Sequence, residues 1–148
     1  MGEGAFSILI ADRNRRVREF LGRELAAEGY SIRMAKDGRE VLAAIKEDDP
    51  PDLIILDLDA ACIGCPALCA RLSLPDSHPP FIIHSFLEEQ VQHACAERAV
   101  AVVEKSENPE ALKSTVEEVL SRFYPVRFSA ARKQDATDAD FGSDSRHK

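Results

Sequence analysis

The sequence has little of what marks a membrane or exported protein. No stretch of the 148 residues approaches the roughly 20 consecutive apolar residues that a membrane helix requires. The opening segment, Met1 to Ala5, is too short and too acidic for a signal peptide. We therefore expect a cytoplasmic protein with no membrane partner.

A basic excess is also missing. Lysine and arginine together number 19, against 26 aspartates and glutamates, which gives a formal net charge of -7. A non-specific nucleic-acid binder needs a basic face to replace the counterions of the phosphates. The charge balance argues against direct nucleic-acid binding and favours a protein partner or a small anionic group held with a cation.

The motifs of independent catalysts are lacking too. The chain has no glycine-rich nucleotide loop, no Gly-x-Ser-x-Gly elbow and no paired-histidine metal motif. We therefore expect no enzyme in the ordinary sense. With 45% apolar residues the chain has room for one good core, and its length favours a single domain.

What the sequence does contain is a regular alternation of strand-like and helix-like segments. Short apolar runs predict five strands: Ser7 to Ala11, Tyr30 to Ala35, Leu53 to Asp57, Phe81 to Ser85 and Val100 to Glu104. Apolar residues spaced by three and four predict the intervening and final helices. This alternation predicts an α/β fold, a doubly wound five-stranded parallel sheet with helices on both faces.

The helical periodicity ends near Pro125. Residues 125–148 mix basic, acidic and small residues with few apolar ones. We predict one folded domain over residues 1–124 and a flexible C-terminal tail over residues 125–148.

Polar side chains stand at the ends of four predicted strands: Asp12, Asp57, Ser85 and Lys105. Strand ends often carry polar residues simply because they reach solvent. The carboxyl ends of parallel strands meet at one edge, however, so four such residues together favour a site. Two carboxylates, a hydroxyl and an ammonium suit an anionic group held with a divalent cation. Asp57 is also a candidate nucleophile for aspartyl phosphate chemistry.

On these residues the chain resembles the receiver domain of two-component response regulators. The resemblance covers about residues 6 to 124 and includes the separations between the four polar residues. It is carried by four segments: Ile8-Leu9-Ile10-Ala11-Asp12, Leu53-Ile54-Ile55-Leu56-Asp57, Ile83-His84-Ser85 and Val102-Val103-Glu104-Lys105. It implies a stand-alone receiver with the flavodoxin-like fold of that family.

The resemblance also implies roles for the polar residues. Asp57 accepts a phosphoryl group from a histidine kinase or a phosphotransfer protein, and Ser85 and Lys105 bind the transferred oxygens. Asp12, Asp57 and the backbone carbonyl of Asp59 hold Mg²⁺. Such a protein at most catalyses its own phosphorylation and dephosphorylation. It acts by contacting an output protein that the sequence does not identify, and its last predicted helix is a candidate homodimer contact.

Arg13, Phe86 and Val102 are among the residues that depart from the family pattern. Arg13 stands where receivers usually carry a further acidic metal ligand, so we expect magnesium binding to be weakened. Its side chain either lies in solvent or partly replaces the cation. Phe86 replaces the usual small residue after Ser85, which predicts slow or selective access of phosphodonors to Asp57. Val102 replaces the usual aromatic residue, so the familiar coupling of hydroxyl shift to aromatic rotation is absent.

The cysteines support the main alternative, a pseudo-receiver that acts without phosphorylation or responds to thiol oxidation or metal. Cys62, Cys65 and Cys69 cluster after the third predicted strand. If a helix begins at Pro66, Cys65 lies at its positive end, where a thiolate is favoured. The cluster lacks a second paired motif, and Cys95 lies on an apolar helix stripe where a free cysteine packs as a small hydrophobe.

Overall fold

The computed structural model describes residues 5–57, 65–86 and 97–132. Within these ranges the strands are β1 (Ser7–Ala11), β2 (Ser31–Ala35), β3 (Leu53–Leu56), β4 (Phe81–Ser85) and β5 (Ala101–Glu104). The helices are α1 (Arg15–Ala26), α2 (Gly38–Ile45), α3 (Pro66–Ser73) and α4 (Glu110–Phe123), followed by a helical segment over residues 125–132. The helix predicted over residues 87–95 lies outside the described residues.

All neighbouring strands run parallel, and their order in the sheet is β2-β1-β3-β4-β5. The chain therefore reverses its direction of travel across the sheet between β1 and β3, which is where open α/β sheets form ligand crevices. The predicted doubly wound parallel sheet is confirmed.

The sheet is covered on both faces because its central strands are apolar throughout. Every residue of β3 and of β4 is buried. Alternate side chains point to opposite faces, so Ile54 packs towards α2 and α3 while Ile55 packs towards α1 and α4. Each fully buried aliphatic side chain stabilises the fold by about 2 kcal/mol relative to exposure.

Local signals in the sequence fix the helix ends. The Asn14 side chain accepts hydrogen bonds from the backbone of Arg16 and Val17 and so caps α1. Gly29 has φ +97 just beyond the end of α1, a conformation that a side chain disfavours. Asp37 caps α2 by accepting a hydrogen bond from the Glu40 backbone N–H.

Residues 125–132 are helical and pack on the domain, so the predicted tail is wrong for these residues. The Phe6 ring lies 5.7 Å from the Tyr124 ring and 6.3 Å from the Phe128 ring, centroid to centroid. Phe128 and Ala131 are partly buried against the core on the α1 and α4 side. Two apolar contacts in one short helix are too few to produce a visible periodicity, so the pattern did not reveal it. Residues 133–148 lie outside the described residues.

The segment is held at the amino-terminal edge of the sheet by Asp52, which directly precedes β3. Arg127 Nη1 and Nη2 donate to the two Asp52 carboxylate oxygens at 2.8 and 2.9 Å. The Tyr124 hydroxyl donates to the Asp52 carbonyl at 2.6 Å, and the Ser7 amide donates to Asp52 Oδ2 at 2.8 Å. Arg127 also donates to the Ala5 carbonyl at 3.4 Å and lies 4.4 Å from the Phe6 ring centroid. We call this set the Asp52 clamp.

Arg127→Ala is expected to lower the free energy of unfolding by about 1–2 kcal/mol, because it removes a two-pronged charge-assisted contact and a cation–π contact. Urea unfolding at neutral pH measures this change. Arg39→Ala, an exposed arginine on α2, is the matched control and should have little effect. Equal stabilities of the two variants would contradict a structural role for the clamp.

Candidate functional site

The polar residues predicted at the strand ends meet at the carboxyl-terminal edge of the sheet. Lys105 Nζ lies 3.0 Å from Asp12 Oδ2 and 3.2 Å from Asp57 Oδ1. Asp12, Asp57 and Ser85 are 2%, 3% and 0% exposed. The structure thus brings three of these side chains into contact and buries Ser85 at the end of the adjacent strand. Their chemical roles stay predictions.

Backbone hydrogen bonds extend the sheet ladder into the site. The Asp57 amide donates to the Ala11 carbonyl at 2.9 Å, and the Lys105 amide donates to the Ser85 carbonyl at 2.9 Å. The Asp12 amide donates to the Ala35 carbonyl at 3.2 Å. The site residues are therefore positioned by the rigid sheet rather than by free loops.

Two further contacts hold the turn that follows β1. The Asn14 amide donates to Asp12 Oδ1 at 2.8 Å, and Arg18 Nη1 donates to the Asp12 carbonyl at 2.6 Å. Arg13 is exposed. The cation found between the carboxylates of Asp12 and Asp57 is the Lys105 ammonium.

Two buried polar atoms at this edge, Asp12 Oδ2 and Ser85 Oγ, have no hydrogen-bond partner among the described residues. Asp12 Oδ2 is close to Lys105 Nζ, but that contact is an ion pair rather than an aligned hydrogen bond. A buried polar atom left without a hydrogen bond is destabilised by about 1–3 kcal/mol. Such atoms indicate a site that takes up a further polar group.

The carboxylates determine the charge state of Lys105. Burial acts to lower its pKa, but the close contact with the Asp12 carboxylate and the attraction to Asp57 raise the pKa above the ordinary lysine value. Lys105 therefore stays protonated at neutral pH, and this cluster of two carboxylates and one ammonium has a charge of minus one.

The residues present fit a magnesium ion in part. Mg²⁺ is typically bound through one or two carboxylates, completed by water and phosphate oxygens. Asp12 and Asp57 supply two carboxylates, and Asp12 Oδ2 accepts no hydrogen bond from the described residues, although it is paired with Lys105. Asp59, the predicted third ligand, lies outside the described residues, and the described ranges contain no group of three or more metal-binding side chains.

Phe86 and Val102 are both half-exposed. The Lys105 ammonium lies 5.3 Å from the centroid of the Phe86 ring, within cation–π range, and this side chain is 50% exposed. Phe86 thus stands beside the cation that contacts Asp57. Val102 is 48% exposed on β5.

His84 precedes Ser85 but lies on the other face of the sheet, towards α1 and α4. It is only 5% exposed. Burial, assisted by the nearby Lys105 charge, lowers the pKa of His84 to about 4, although Asp12 opposes the shift. The imidazole is therefore neutral at pH 7.

A cavity of about 420 Å³ opens beside the Lys105 side chain. The sequence did not reveal this cavity, although a histidine near the end of an otherwise apolar strand was a signal. Its lining comes from α1, β4 and the turns after β4 and β5: Arg16, Val17, Phe20, Leu21, His84, Phe86, Lys105, Ser106 and Glu107.

The cysteines provide no support for a thiol or metal site. Cys65 is buried just before α3, and Cys69 is partly buried within it. Cys62 and Cys95 lie outside the described residues. The part of the chain that the structure describes holds no cluster of metal-binding side chains.

The comparisons with known proteins agree with the fold. The family model for the response regulator receiver domain matches residues 8–117. The chain therefore belongs to the response regulator receiver domain family, as the resemblance predicted.

Similar sequences include two response regulators named MprA. MprA of Mycolicibacterium vanbaalenii is 37% identical over 76 residues, which are 51% of this chain and 32% of that protein. MprA of Mycobacterium avium is 36% identical over 76 residues, 51% of this chain and 33% of that protein. The match spans about a third of these curated relatives.

Solved receiver structures share the fold over most of the chain. The response regulator TrrA of Thermotoga maritima, in complex with Mg(2+)-BeF, has a TM-score of 0.67 and 28% identity and covers 78% of this chain and 99% of its own. TrrA in complex with the histidine kinase ThkA has a TM-score of 0.66 at 28% identity, with coverage of 78% and 99%. CheY4 of Vibrio cholerae has a TM-score of 0.65 at 25% identity, again covering 78% and 99%.

No helix among the described residues is long and apolar enough to cross a membrane.

The depressed pKa of His84 predicts that acid destabilises the fold. Unfolded histidine binds a proton near pH 6.5 and folded His84 only near pH 4, so its contribution to stability is present above pH 6.5 and is lost as the pH falls towards 4. At pH 5 the loss is about 2 kcal/mol. Urea unfolding at pH 7 and pH 5 should show this loss in the wild type.

His84→Leu removes the titrating group and is the test variant, while other acid-sensitive groups remain. The loss between pH 7 and pH 5 should be smaller in His84→Leu by about 2 kcal/mol. An identical pH dependence in wild type and His84→Leu would show that folded His84 titrates normally.

Proposed function

We propose that the chain is a phosphoacceptor signalling module of a two-component system, phosphorylated on Asp57 by a histidine kinase or a phosphotransfer protein. The observation that carries this proposal is a buried carboxylate at the end of β3 with the Lys105 ammonium 3.2 Å from its Oδ1. The unpartnered Ser85 hydroxyl at the end of the next strand adds a second group for an incoming oxyanion.

In the proposed reaction an Asp57 carboxylate oxygen attacks the phosphorus of a phosphohistidine. The new O–P bond forms as the P–N bond breaks, and the donor imidazole leaves with the electron pair and takes up a proton. Lys105 and Ser85 bind the oxygens of the transferred group through charge-assisted hydrogen bonds. This use of Ser85 gives a reason for its burial without a partner.

Asp12 and Asp57 are the residues proposed to hold Mg²⁺, with the Asp59 backbone carbonyl as the third ligand. When bound, the ion neutralises the negative charge that accumulates between the carboxylates and the phosphoryl oxygens. The Lys105 ammonium already contacts both carboxylates, so it and the ion share them.

Phosphorylation adds about -1.5 to -2 charge units at the carboxyl-terminal edge of the sheet. Lys105 is the cation that contacts Asp57 there. We propose that Lys105 and Ser85 then shift towards the phosphoryl group and alter the neighbouring surface, which an output protein recognises in the cytoplasm. Val102 provides no aromatic ring for this response, so it proceeds through Lys105 and Phe86, which are already in contact. A homodimer through α4 is a further candidate readout.

Incubation with acetyl phosphate and Mg²⁺ should add one phosphoryl group to the wild type, seen by intact mass, and none to Asp57→Asn. Beryllofluoride with Mg²⁺ should bind the wild type at the same site. Asp52→Asn is a matched control, because it changes a carboxylate at the opposite edge of the sheet. The proposal would be contradicted if the wild type is not modified, or if the modification persists in Asp57→Asn.

Arg13→Asp is expected to tighten Mg²⁺ binding by at least about tenfold, because a change of two charge units near a divalent ion is worth several kcal/mol even at an effective dielectric near 20. Calorimetric titration with MgCl₂ measures the affinity. Arg15→Asp makes the same charge change on the exposed side of α1 and should have a much smaller effect. Equal effects of the two substitutions would mean that Arg13 acts only through net charge.

A further inference from the structure

The cavity beside Lys105 has the size and the lining of a small-molecule site. Its volume of about 420 Å³ falls within the range of ligand pockets in proteins. Val17, Phe20 and Leu21 supply an apolar wall from α1, and Phe86 supplies a second aromatic ring from the sheet side. Such a lining favours an aromatic ligand.

One largely buried polar side chain in this lining makes no hydrogen bond to the described residues. His84 lines the cavity, is only 5% exposed and makes no hydrogen bond to any described residue. Buried polar groups in folded proteins are normally hydrogen-bonded. The imidazole therefore offers unused hydrogen-bonding capacity inside an apolar cavity.

The charge of the lining argues against an ionic ligand. The Lys105 ammonium is already paired with Asp12 and Asp57. His84 is neutral at pH 7, because burial and the Lys105 charge lower its pKa to about 4. Arg16 and Glu107 at the edges of the cavity carry opposite charges. A neutral ligand is thus favoured.

We propose that this cavity binds a small, neutral aromatic molecule that carries a hydroxyl group, with its ring against Phe20 and Phe86 and its hydroxyl hydrogen-bonded to His84. This adds a ligand site to the proposed phosphoacceptor and does not depend on phosphorylation of Asp57. The two sites share Lys105 and Phe86 as neighbours, so a bound ligand lies next to the cation that contacts Asp57.

Three probes of similar shape test the proposal on the full, unphosphorylated chain: 2-naphthol, naphthalene and 2-naphthoate. In titrations followed by amide NMR at neutral pH, 2-naphthol should cause saturable shifts at residues 17–21 and 84–86. Naphthalene lacks the hydroxyl and 2-naphthoate carries a charge, so both should bind about three- to tenfold more weakly. Equal affinities for the three probes would overturn the choice of ligand. The absence of any saturable shift would show that the cavity binds none of these molecules, and would overturn the proposal. A side chain of a partner protein would then be the remaining occupant.

Two variants distinguish the contribution of the hydrogen bond to ligand binding from that of the cavity volume. His84→Leu should reduce the affinity for 2-naphthol to that for naphthalene, whereas His78→Leu should leave it unchanged. Val17→Phe fills the cavity from a half-buried position on α1 and should abolish binding of all three probes. Wild-type affinity for 2-naphthol in His84→Leu or in Val17→Phe would contradict the proposal. Because no phosphodonor is present, failure here is distinct from failure of Asp57 to accept phosphate.

Discussion

The contact of one ammonium with two buried carboxylates organises the functional edge of this receiver domain. Lys105 lies between Asp12 and Asp57, which come from strands that are neighbours in the sheet. Without it, two negative charges would be buried together, an arrangement that is strongly unfavourable. The same cation lies 5.3 Å from the Phe86 ring centroid and adds to the effect of burial in lowering the pKa of His84 on the other face of the sheet. A change in the position of Lys105 therefore reaches the proposed phosphoacceptor, an exposed aromatic and the cavity together.

The sequence predicted the sheet and the strand ends at which the polar side chains lie, because both depend on short-range patterns. Runs such as Leu53 to Leu56 are apolar at every position, which is typical of a strand covered on both faces. Once such strands are placed, parallel order brings Asp12, Asp57 and Ser85 to one edge without further information.

Features that depend on tertiary contacts were not predicted. The helix over residues 125–132 is stabilised by contacts to Phe6 and Asp52, far away in sequence, rather than by its own periodicity. The cavity is likewise a product of how α1 packs against β4 and the turn after β5. The sequence identified Arg13 as unusual. Only the structure shows that Arg13 is exposed and that Lys105 is the cation between the carboxylates of Asp12 and Asp57.

The Asp52 clamp has a consequence for how this domain combines with other chain segments. Arg127 donates to Ala5, so the beginning and the end of the folded unit are adjacent at the amino-terminal edge of the sheet. A unit whose ends meet can be joined to other domains, or inserted into a loop, through two neighbouring points. Such a connection would leave the opposite edge, with Asp57 and the cavity, open to partners and ligands.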